Sequence, residues 1–154
     1  MRLGVYPGSF NPFHRGHYNI LQKAEKIFDK VIIARGFNPE KNNALLPMPK
    51  LIMDNYIVRD YNCLLTEFIK ESQIVYFPEK EEVFHYENVT VIRGLRNSVD
   101  LQYEMNQYRY LQDLMPDIQL ISIFCDKEYE HISSSGIRTL LKYGSDKVKD
   151  YLLE

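Results

Sequence analysis

The period of the hydrophobic residues changes twice within the first 35 residues, and this change is what most restricts the possible folds. A short apolar run, Leu3 to Tyr6, is stopped by Pro7-Gly8, which is typical of a buried strand that leads into a loop. From Gly16 the apolar residues recur every three or four positions, which predicts a helix buried on one face. The residues on that face are Ile20, Leu21, Ala24, Ile27 and Phe28. A second unbroken apolar run, Val31 to Ala34, is typical of a parallel strand covered by helices, so this segment predicts a β-α-β unit.

Strand and helix signals keep alternating through the rest of the chain. We expect a helix over 50–61, strands at 74–77, 89–92 and 118–124, and helices over 135–143 and 146–153. Asn97 or Ser98 can cap a long helix that ends at Pro116. Its apolar stripe consists of Leu101, Met105, Tyr108, Leu111 and Met115. The alternation predicts an α/β fold: a Rossmann-like, doubly wound, five-stranded parallel sheet with helices on both faces, which binds ligands beyond the carboxyl ends of its strands.

Length, charge and cysteine usage narrow the class of protein. At 154 residues, with 45% hydrophobic and 26% charged residues, the chain fits one globular domain over residues 1–154. The formal net charge of −2 argues against a general electrostatic grip on nucleic acid or on an anionic membrane. With no secretory signal and no run of about 18 apolar residues, we expect a cytoplasmic protein without a membrane span. Cys63 and Cys125 lie far apart without Cys-x-x-Cys spacing, which predicts reduced thiols rather than a zinc site or a disulfide.

The loop between the first strand and the first helix, residues 8–17, is the first candidate site. It reads Gly-Ser-Phe-Asn-Pro-Phe-His-Arg-Gly-His. Unpaired backbone N–H groups and the positive end of the helix dipole favour an anion such as phosphate there. His14 and His17 can add two donors on the same side, and Gly16 lets a ligand approach the backbone. Two histidines could instead bind a metal or merely end a helix, but no third ligand lies nearby in sequence.

A second candidate is Ile92-Arg93-Gly94-Leu95-Arg96, at the turn from a strand into the long helix. Two guanidinium groups at such a turn can clamp phosphate oxygens in a bidentate geometry that lysine cannot copy. If the helix starts close to Arg96, then Arg96, Asp100 and Glu104 lie on one helical face. These three residues could therefore form a solvated ladder of ion pairs instead.

The third candidate consists of the serines Ser133, Ser134 and Ser135, which precede another helix. A helix cap explains one of them. The other two hydroxyls could donate hydrogen bonds to phosphate oxygens, beside the backbone N–H groups of the helix start. A plain cap and turn is the alternative.

The three segments together carry a resemblance to a known family. The first is similar to the (His/Thr)-x-Gly-His signature of the nucleotidyltransferase superfamily, which transfers AMP or CMP from a nucleoside triphosphate to a phosphate. The second, with Tyr103 and Glu104, and the third, with Lys127-Glu128-Tyr129 before its serines, resemble the bacterial phosphopantetheine adenylyltransferases. The order of the motifs, the chain length and the segment from Asn38 to Lys41 also resemble that family.

This resemblance implies transfer of AMP from ATP to 4′-phosphopantetheine, giving dephospho-coenzyme A and pyrophosphate, with Mg²⁺ carried on the ATP phosphates and no metal ligand from the protein. The implied catalytic residues are Ser9, His14, His17, Lys41 and Arg96. The implied ATP contacts are Ser9, Phe10, His17, Gly94, Leu95, Arg96, Glu104, Tyr129, Ser133, Ser134 and Ser135. The implied contacts with 4′-phosphopantetheine are Ser9, Lys41 and Arg93. The resemblance also implies a homohexamer, and the tyrosines of the long helix offer aromatic surface for such an oligomer.

Two parts of the chain depart from this family on the acceptor side. Residues 78–85 replace a Gly-Leu-Leu-like segment, and the long helix has Leu111 near the place where similar enzymes have an asparagine. His14, Asn11-Pro12 and Ile137-Arg138 lean toward the nicotinate or nicotinamide mononucleotide adenylyltransferases, which are the alternative function. A non-catalytic nucleotide-binding module of the same fold is the third interpretation.

Overall fold

Strands and helices alternate along the chain in the computed structural model, which describes residues 2–37, 46–49, 56–75 and 89–153. The strands are β1 (Leu3–Gly8), β2 (Lys30–Gly36), β3 (Tyr56–Tyr61), β4 (Val89–Leu95) and β5 (Gln119–Phe124). The helices are α1 (Arg15–Glu25), α2 (Leu65–Val75), α3 (Ser98–Leu114) and α4 (Ser134–Lys142). Two 3-10 helices span Lys127–Tyr129 and Asp146–Asp150.

All five strands belong to one parallel sheet, with the order β3-β2-β1-β4-β5. The central strand β1 pairs with β2 from Leu3 opposite Lys30 to Gly8 opposite Arg35, and it pairs with β4 on its other edge. The chain thus builds one side of the sheet with β2 and β3 and the other side with β4 and β5. Because the strand order reverses between β1 and β4, a ligand crevice is expected beyond the carboxyl ends of these two strands.

Helices cover both faces of the sheet. On one face, Leu21 and Ala24 of α1 belong to a buried cluster with residues of β1, β2 and β4. On the other face, Phe68 and Ile69 of α2 pack into a second cluster, which Leu111 of α3 flanks. This arrangement confirms the predicted Rossmann-like, doubly wound parallel sheet.

Two predicted elements have a different structure. The helix predicted over 50–61 is wrong at its described end, because Tyr56–Tyr61 is a strand at the edge of the sheet. None of its residues is buried, so the strong apolar signal of a covered strand is missing. The strand predicted at 74–77 is wrong for Ile74 and Val75, which end α2, and its other residues lie outside the described ranges. The last predicted helix is a shorter 3-10 helix, Asp146–Asp150.

The faces of the helices agree with the predicted apolar stripes only in part. Ile27 lies beyond the end of α1 and is 44% exposed, whereas the other four predicted residues of that stripe are buried. In α3, Asn97 caps the helix as predicted, but Leu101 and Met105 are exposed and Glu104 is the buried residue. Within the described ranges, none of the helices combines the length and the apolar composition that crossing a bilayer requires.

Candidate active site

A cavity of about 360 Å³ opens where β1, β4 and β5 end, at the point where the strand order reverses. The predicted site residues that line it are Ser9, Phe10, His14, His17, Arg93, Gly94, Leu95, Arg96, Glu104, Tyr129, Ser133 and Ser134. Ser135 is exposed and does not line this cavity, and Lys41 lies outside the described residues. The fold therefore brings together three segments that are separated by about eighty and about forty residues in the sequence.

The two histidines of the first segment cap the start of α1 reciprocally. The backbone N–H groups of Gly16 and His17 donate to Nδ1 of His14, at 3.1 and 3.4 Å. In return, the backbone N–H of His14 donates to Nδ1 of His17, at 3.1 Å. This is the geometry of a capping box, with histidines in place of the usual serine or threonine and glutamate.

This capping box determines where each imidazole carries its proton. Because Nδ1 of His14 and of His17 accepts a hydrogen bond, each neutral ring is protonated on Nε2. Burial, aided by the positive charge of Arg96, lowers the pKa of His14 to about 4. Burial also holds the pKa of His17 well below its ordinary value, as do the charges of His14, Arg96 and Arg93. At neutral pH the pair therefore offers two Nε2–H donors and no positive charge.

Aromatic rings hold His17 in place. The His14 and His17 rings stack with centroids 3.7 Å apart and planes 23° apart. Phe10 and Phe13, both buried, lie at 4.9 and 5.2 Å from the His17 centroid. The remaining freedom of the His17 side chain is small, as a preorganised donor requires.

Arg93 at the end of β4 forms a close ion pair with Glu104 of α3. Its Nε and Nη2 donate to the two carboxylate oxygens, each at 2.7 Å, and Nη1 donates to the carbonyl of Pro7 at 2.9 Å. Burial of the guanidinium opposes its charge, but the hydrogen bonds and the charge of Glu104 outweigh burial and raise its pKa. Glu104 thus pairs with Arg93 and does not extend a ladder from Arg96.

Arg96 forms the second arginine–carboxylate pair of the cavity, with Asp100 one turn along α3. Its Nε and backbone N–H donate to Oδ2 of Asp100 at 2.9 and 3.0 Å, and its Nη1 donates to the carbonyl of Ile132 at 3.2 Å. Although burial opposes ionisation of Asp100, these hydrogen bonds hold the pKa of its carboxyl below the ordinary value. The positive charge of Arg96 is therefore fixed between β4 and the segment before α4.

The serines at the start of α4 have distinct partners. Ser133 caps the helix, since its Oγ accepts a hydrogen bond from the N–H of Gly136 at 3.0 Å. The sequence leaves the hydroxyls of the two serines that do not cap the helix free to donate to phosphate, but Oγ of Ser134 donates to the carbonyl of Pro12 at 2.9 Å. This hydrogen bond joins α4 to the loop of the first motif. The hydroxyl groups of Ser133 and Ser135 lie 3.3 Å apart and form a hydrogen bond with each other.

Several residues that support the first motif were not predicted as site residues. Arg138, one turn after Ser134, donates from Nη1 to the carbonyl of Asn11 at 2.6 Å. The buried Asn11 side chain accepts a hydrogen bond from the N–H of Leu46 at 2.8 Å. The Ile137-Arg138 pair was a visible signal in the sequence, but its partner, 127 residues away, was not.

The C-terminal segment supports the start of α1 from the other side. The backbone N–H of Arg15 donates to the carbonyl of Tyr151 at 2.9 Å, and its Nε donates to the carbonyl of Leu152 at 3.2 Å. Further along α1, the side chain of Asn19 exchanges two hydrogen bonds with Asp126, at 2.9 and 2.8 Å. The loop of residues 8–17 is thus held by contacts with three later parts of the chain.

The described part of the chain shows no cluster of three or more His, Cys, Asp or Glu side chains that could hold a metal ion. The two carboxylates that line the cavity, Asp100 and Glu104, are both bonded to arginines. A divalent cation at this site would therefore depend mainly on ligands from a bound phosphate.

Sequence relatives identify the family to which these residues belong. A model of the cytidylyltransferase-like family matches residues 5–140. The phosphopantetheine adenylyltransferase of Mycoplasma mycoides is 34% identical over 145 residues, which covers 93% of this chain and 99% of the relative. The phosphopantetheine adenylyltransferase of Clostridium tetani is 32% identical over 152 residues, which covers 94% of this chain and 86% of the relative.

Solved structures share the fold at much lower identity. The nicotinic acid mononucleotide adenylyltransferase of Plasmodium falciparum, complexed with NaAD, has a TM-score of 0.62 at 17% identity and covers 99% of this chain and 90% of its own. A bifunctional NMN adenylyltransferase/ADP ribose pyrophosphatase of Francisella tularensis, complexed with AMP and a manganese ion, has a TM-score of 0.59 at 16% identity. The match covers 99% of this chain and 44% of that structure's chain. Such low identities establish the fold alone, whereas the sequence relatives establish the family. The chain belongs to the cytidylyltransferase-like family of nucleotidyltransferases and, within it, to the phosphopantetheine adenylyltransferases.

Proposed function

We propose that this enzyme transfers AMP from ATP to 4′-phosphopantetheine, forming dephospho-coenzyme A and pyrophosphate. The observation that carries the proposal is the convergence of three phosphate-binding motifs on one cavity at the reversal point of the sheet. Relatives above 30% identity over nearly the whole chain bear the same activity in their names. The acceptor phosphate attacks the α-phosphorus of ATP, the bond to the β-phosphate oxygen breaks, and pyrophosphate leaves with the electron pair of that bond.

The protein would act on this reaction by position and charge rather than as a nucleophile. The attacking group is already an anionic phosphate, so the enzyme needs to align two anions that repel each other. His17 would donate from Nε2 to the α-phosphate, where negative charge grows in the transition state. His14 and the Ser9 hydroxyl would donate beside it.

The positively charged side chains would bind different phosphate groups. Arg93 and Lys41 would hold the acceptor phosphate, and Arg96 would stabilise the departing pyrophosphate together with donors from the start of α4. Gly94 and Leu95 would line the ATP site, and Phe10 and Tyr129 would enclose the nucleotide. These roles follow from the resemblance and from the position of the described residues on the cavity wall.

Mg²⁺ would enter with ATP. Its chemistry would be to neutralise negative charge on the phosphates, and few protein ligands are needed when substrate phosphates are present. Asp100 and Glu104 are already engaged with arginines, which fits a cation carried by the nucleotide.

Pyrophosphate release tests the function directly. The enzyme is given ATP and Mg²⁺ with 4′-phosphopantetheine, nicotinate mononucleotide or nicotinamide mononucleotide, each in a separate reaction. We expect release with 4′-phosphopantetheine alone. Release only with a pyridine mononucleotide would contradict 4′-phosphopantetheine as the acceptor. It would support the alternative function, a nicotinate or nicotinamide mononucleotide adenylyltransferase, which His14 and Ile137-Arg138 favour. Binding of ATP without release in any reaction would point to a non-catalytic module.

We also propose a homo-oligomer, a hexamer by family resemblance, in the cytoplasm. The exposed large apolar side chains of α3 are Val99, Leu101, Tyr103, Met105, Tyr110 and Leu114. A helix with this much apolar exposure is typical of an interaction surface. Both cysteines are free thiols, as expected in a reducing compartment. Sedimentation velocity at micromolar concentration is expected to show an oligomer, and a monomer would contradict the proposal.

A further inference from the structure

A second cavity, of about 310 Å³, adjoins the candidate active site and shares a wall with it. The residues common to both cavities are Pro7, Arg93, Tyr103 and Glu104. The second cavity is otherwise mainly apolar and aromatic, with Leu65, Tyr110 and Leu111 among its lining residues. The ion pair of Arg93 and Glu104 is therefore the charged part of the wall between the two cavities.

The guanidinium of Arg93 keeps two N–H groups for a ligand. Of its five N–H groups, two donate to Glu104 and one donates to the carbonyl of Pro7. The other two, one on each Nη, have no partner within the described part of the chain. Since both bonds to Glu104 are 2.7 Å long, the plane of the guanidinium is fixed by the carboxylate.

Stability alone does not explain why a carboxylate occupies this place. Glu104 is 8% exposed and is the buried residue of α3, whose large apolar side chains are mostly exposed. Replacing a buried ion pair by apolar residues is often neutral or stabilising, because desolvation offsets much of the attraction. A buried pair on the boundary of two cavities is better explained by the geometry that it imposes on Arg93.

We propose that Glu104 is a positioning residue that acts through Arg93. It holds the guanidinium in the wall so that the two remaining N–H groups meet the terminal phosphate of the acceptor as that phosphate approaches ATP. This inference rests on the proposed function. It changes the role of Glu104 from the ATP contact that the family resemblance implies to control of the acceptor.

Substitution Glu104→Gln tests the proposal, because the amide has nearly the same shape but cannot accept both hydrogen bonds from Arg93. We expect the KM for the acceptor to rise about tenfold or more, as the loss of a hydrogen bond to a charged group predicts. The KM for ATP and the ATP dissociation constant, measured by calorimetry without acceptor, should change less than about twofold. Arg93→Lys should raise the acceptor KM in the same way, and the double variant should be no worse than the more affected single variant.

Asp60→Asn is the matched control. Asp60 accepts two hydrogen bonds from Arg35, at 2.8 and 2.9 Å, and neither residue lines either cavity. Loss of this pair is expected to leave both KM values unchanged. The comparison therefore shows whether an effect of Glu104→Gln depends on the place of Glu104 in the cavity wall or follows from the loss of any bidentate ion pair. If Glu104→Gln does not fold, Glu104→Asp replaces it, since its shorter carboxylate keeps the charge and cannot reach both nitrogens.

Two results would overturn the proposal. A rise in the ATP dissociation constant with an unchanged acceptor KM would show that Glu104 contacts the nucleotide. Effects of Glu104→Gln and Arg93→Lys that multiply in the double variant would show that the two residues act independently. If the wild-type enzyme uses a pyridine mononucleotide instead, the proposed function fails, but that acceptor also ends in a phosphate and the same comparison tests Glu104.

Discussion

Replacing His17 by Asn is expected to lower kcat for pyrophosphate release about 10²–10³-fold, the usual cost of removing one preorganised donor to a transition state. The Asn side chain can still accept the hydrogen bond from the N–H of His14, so it preserves the capping box. It has no donor at the position of Nε2. Lost aromatic contacts would cost about 1–2 kcal/mol, too little to unfold a domain of ordinary stability. The measurement is kcat at saturating substrates, together with a urea unfolding curve of the same sample.

His17→Gln is the matched variant for this prediction. Its terminal amide can place an N–H near the position of Nε2, while it loses the acceptor at Nδ1. It is expected to be at least about tenfold more active than His17→Asn, although less stable, since it lacks one bond of the capping box. Equal activities of the two variants, or a kcat of His17→Asn near that of the wild type, would show that the Nε2–H donor is not used.

Lowering the pH from 8 to 4 is expected to remove about 3 kcal/mol of stability through His14 alone. Burial is the main cause that lowers the pKa of His14 in the folded protein to about 4, against an ordinary value of 6.5. Between these values the unfolded chain binds a proton that the folded chain does not, so the free energy of unfolding falls as the pH falls. His17 acts in the same direction, because burial lowers its pKa as well.

Urea unfolding at several pH values between 8 and 4 measures this loss, and His14→Asn is the variant that isolates it. Asparagine is a favourable N-cap, so α1 keeps its start while one titrating group is removed. The slope of stability against pH between 6.5 and 4 should decrease by up to about 1.4 kcal/mol per pH unit. An unchanged slope in His14→Asn would mean that His14 is not held neutral by burial. Asp100, whose pKa is lowered, adds its own loss at the acid end of the range in both proteins.

The sequence predicts the elements with complete or one-sided burial, and it also predicts the partly exposed edge strand β5, but it fails at the other edge strand, β3. The elements β1, α1 and β2 follow from a clear change of period, because the strands are covered on both faces. The strand β3 lies at the edge of the sheet with no buried residue, so its pattern does not differ from that of a helix. Ile74 and Val75 have the β-branched side chains that are typical of a strand, but they form the end of α2.

In the candidate site, arrangements within one helical turn are predictable from the sequence, whereas contacts between distant segments are not. His14 and His17 lie within one turn of a helix, so their shared orientation follows from spacing. The partners of Arg93 and Ser134 depend on how α3 and α4 pack against the sheet and the loop of the first motif. The bond between Ser134 and Pro12 joins residues 122 positions apart, and no local pattern contains that information. Without a family resemblance, the sequence therefore predicts which residues face the site better than which residues bind one another.

The contacts that hold the loop of residues 8–17 also impose an order on its formation during synthesis of the chain. The loop and the first turn of α1 leave the ribosome early, and Leu46, which donates to Asn11, follows soon after. Four further partners, Ser134, Arg138, Tyr151 and Leu152, leave more than a hundred residues later. Contacts over such distances form only after the entropy of closing the intervening chain has been overcome. A nascent chain that has already completed all five strands still lacks these supports. The full support of this loop is therefore among the last features that translation completes, and a chain that stops before residue 152 would carry the motif without the full set of bonds that hold it in shape.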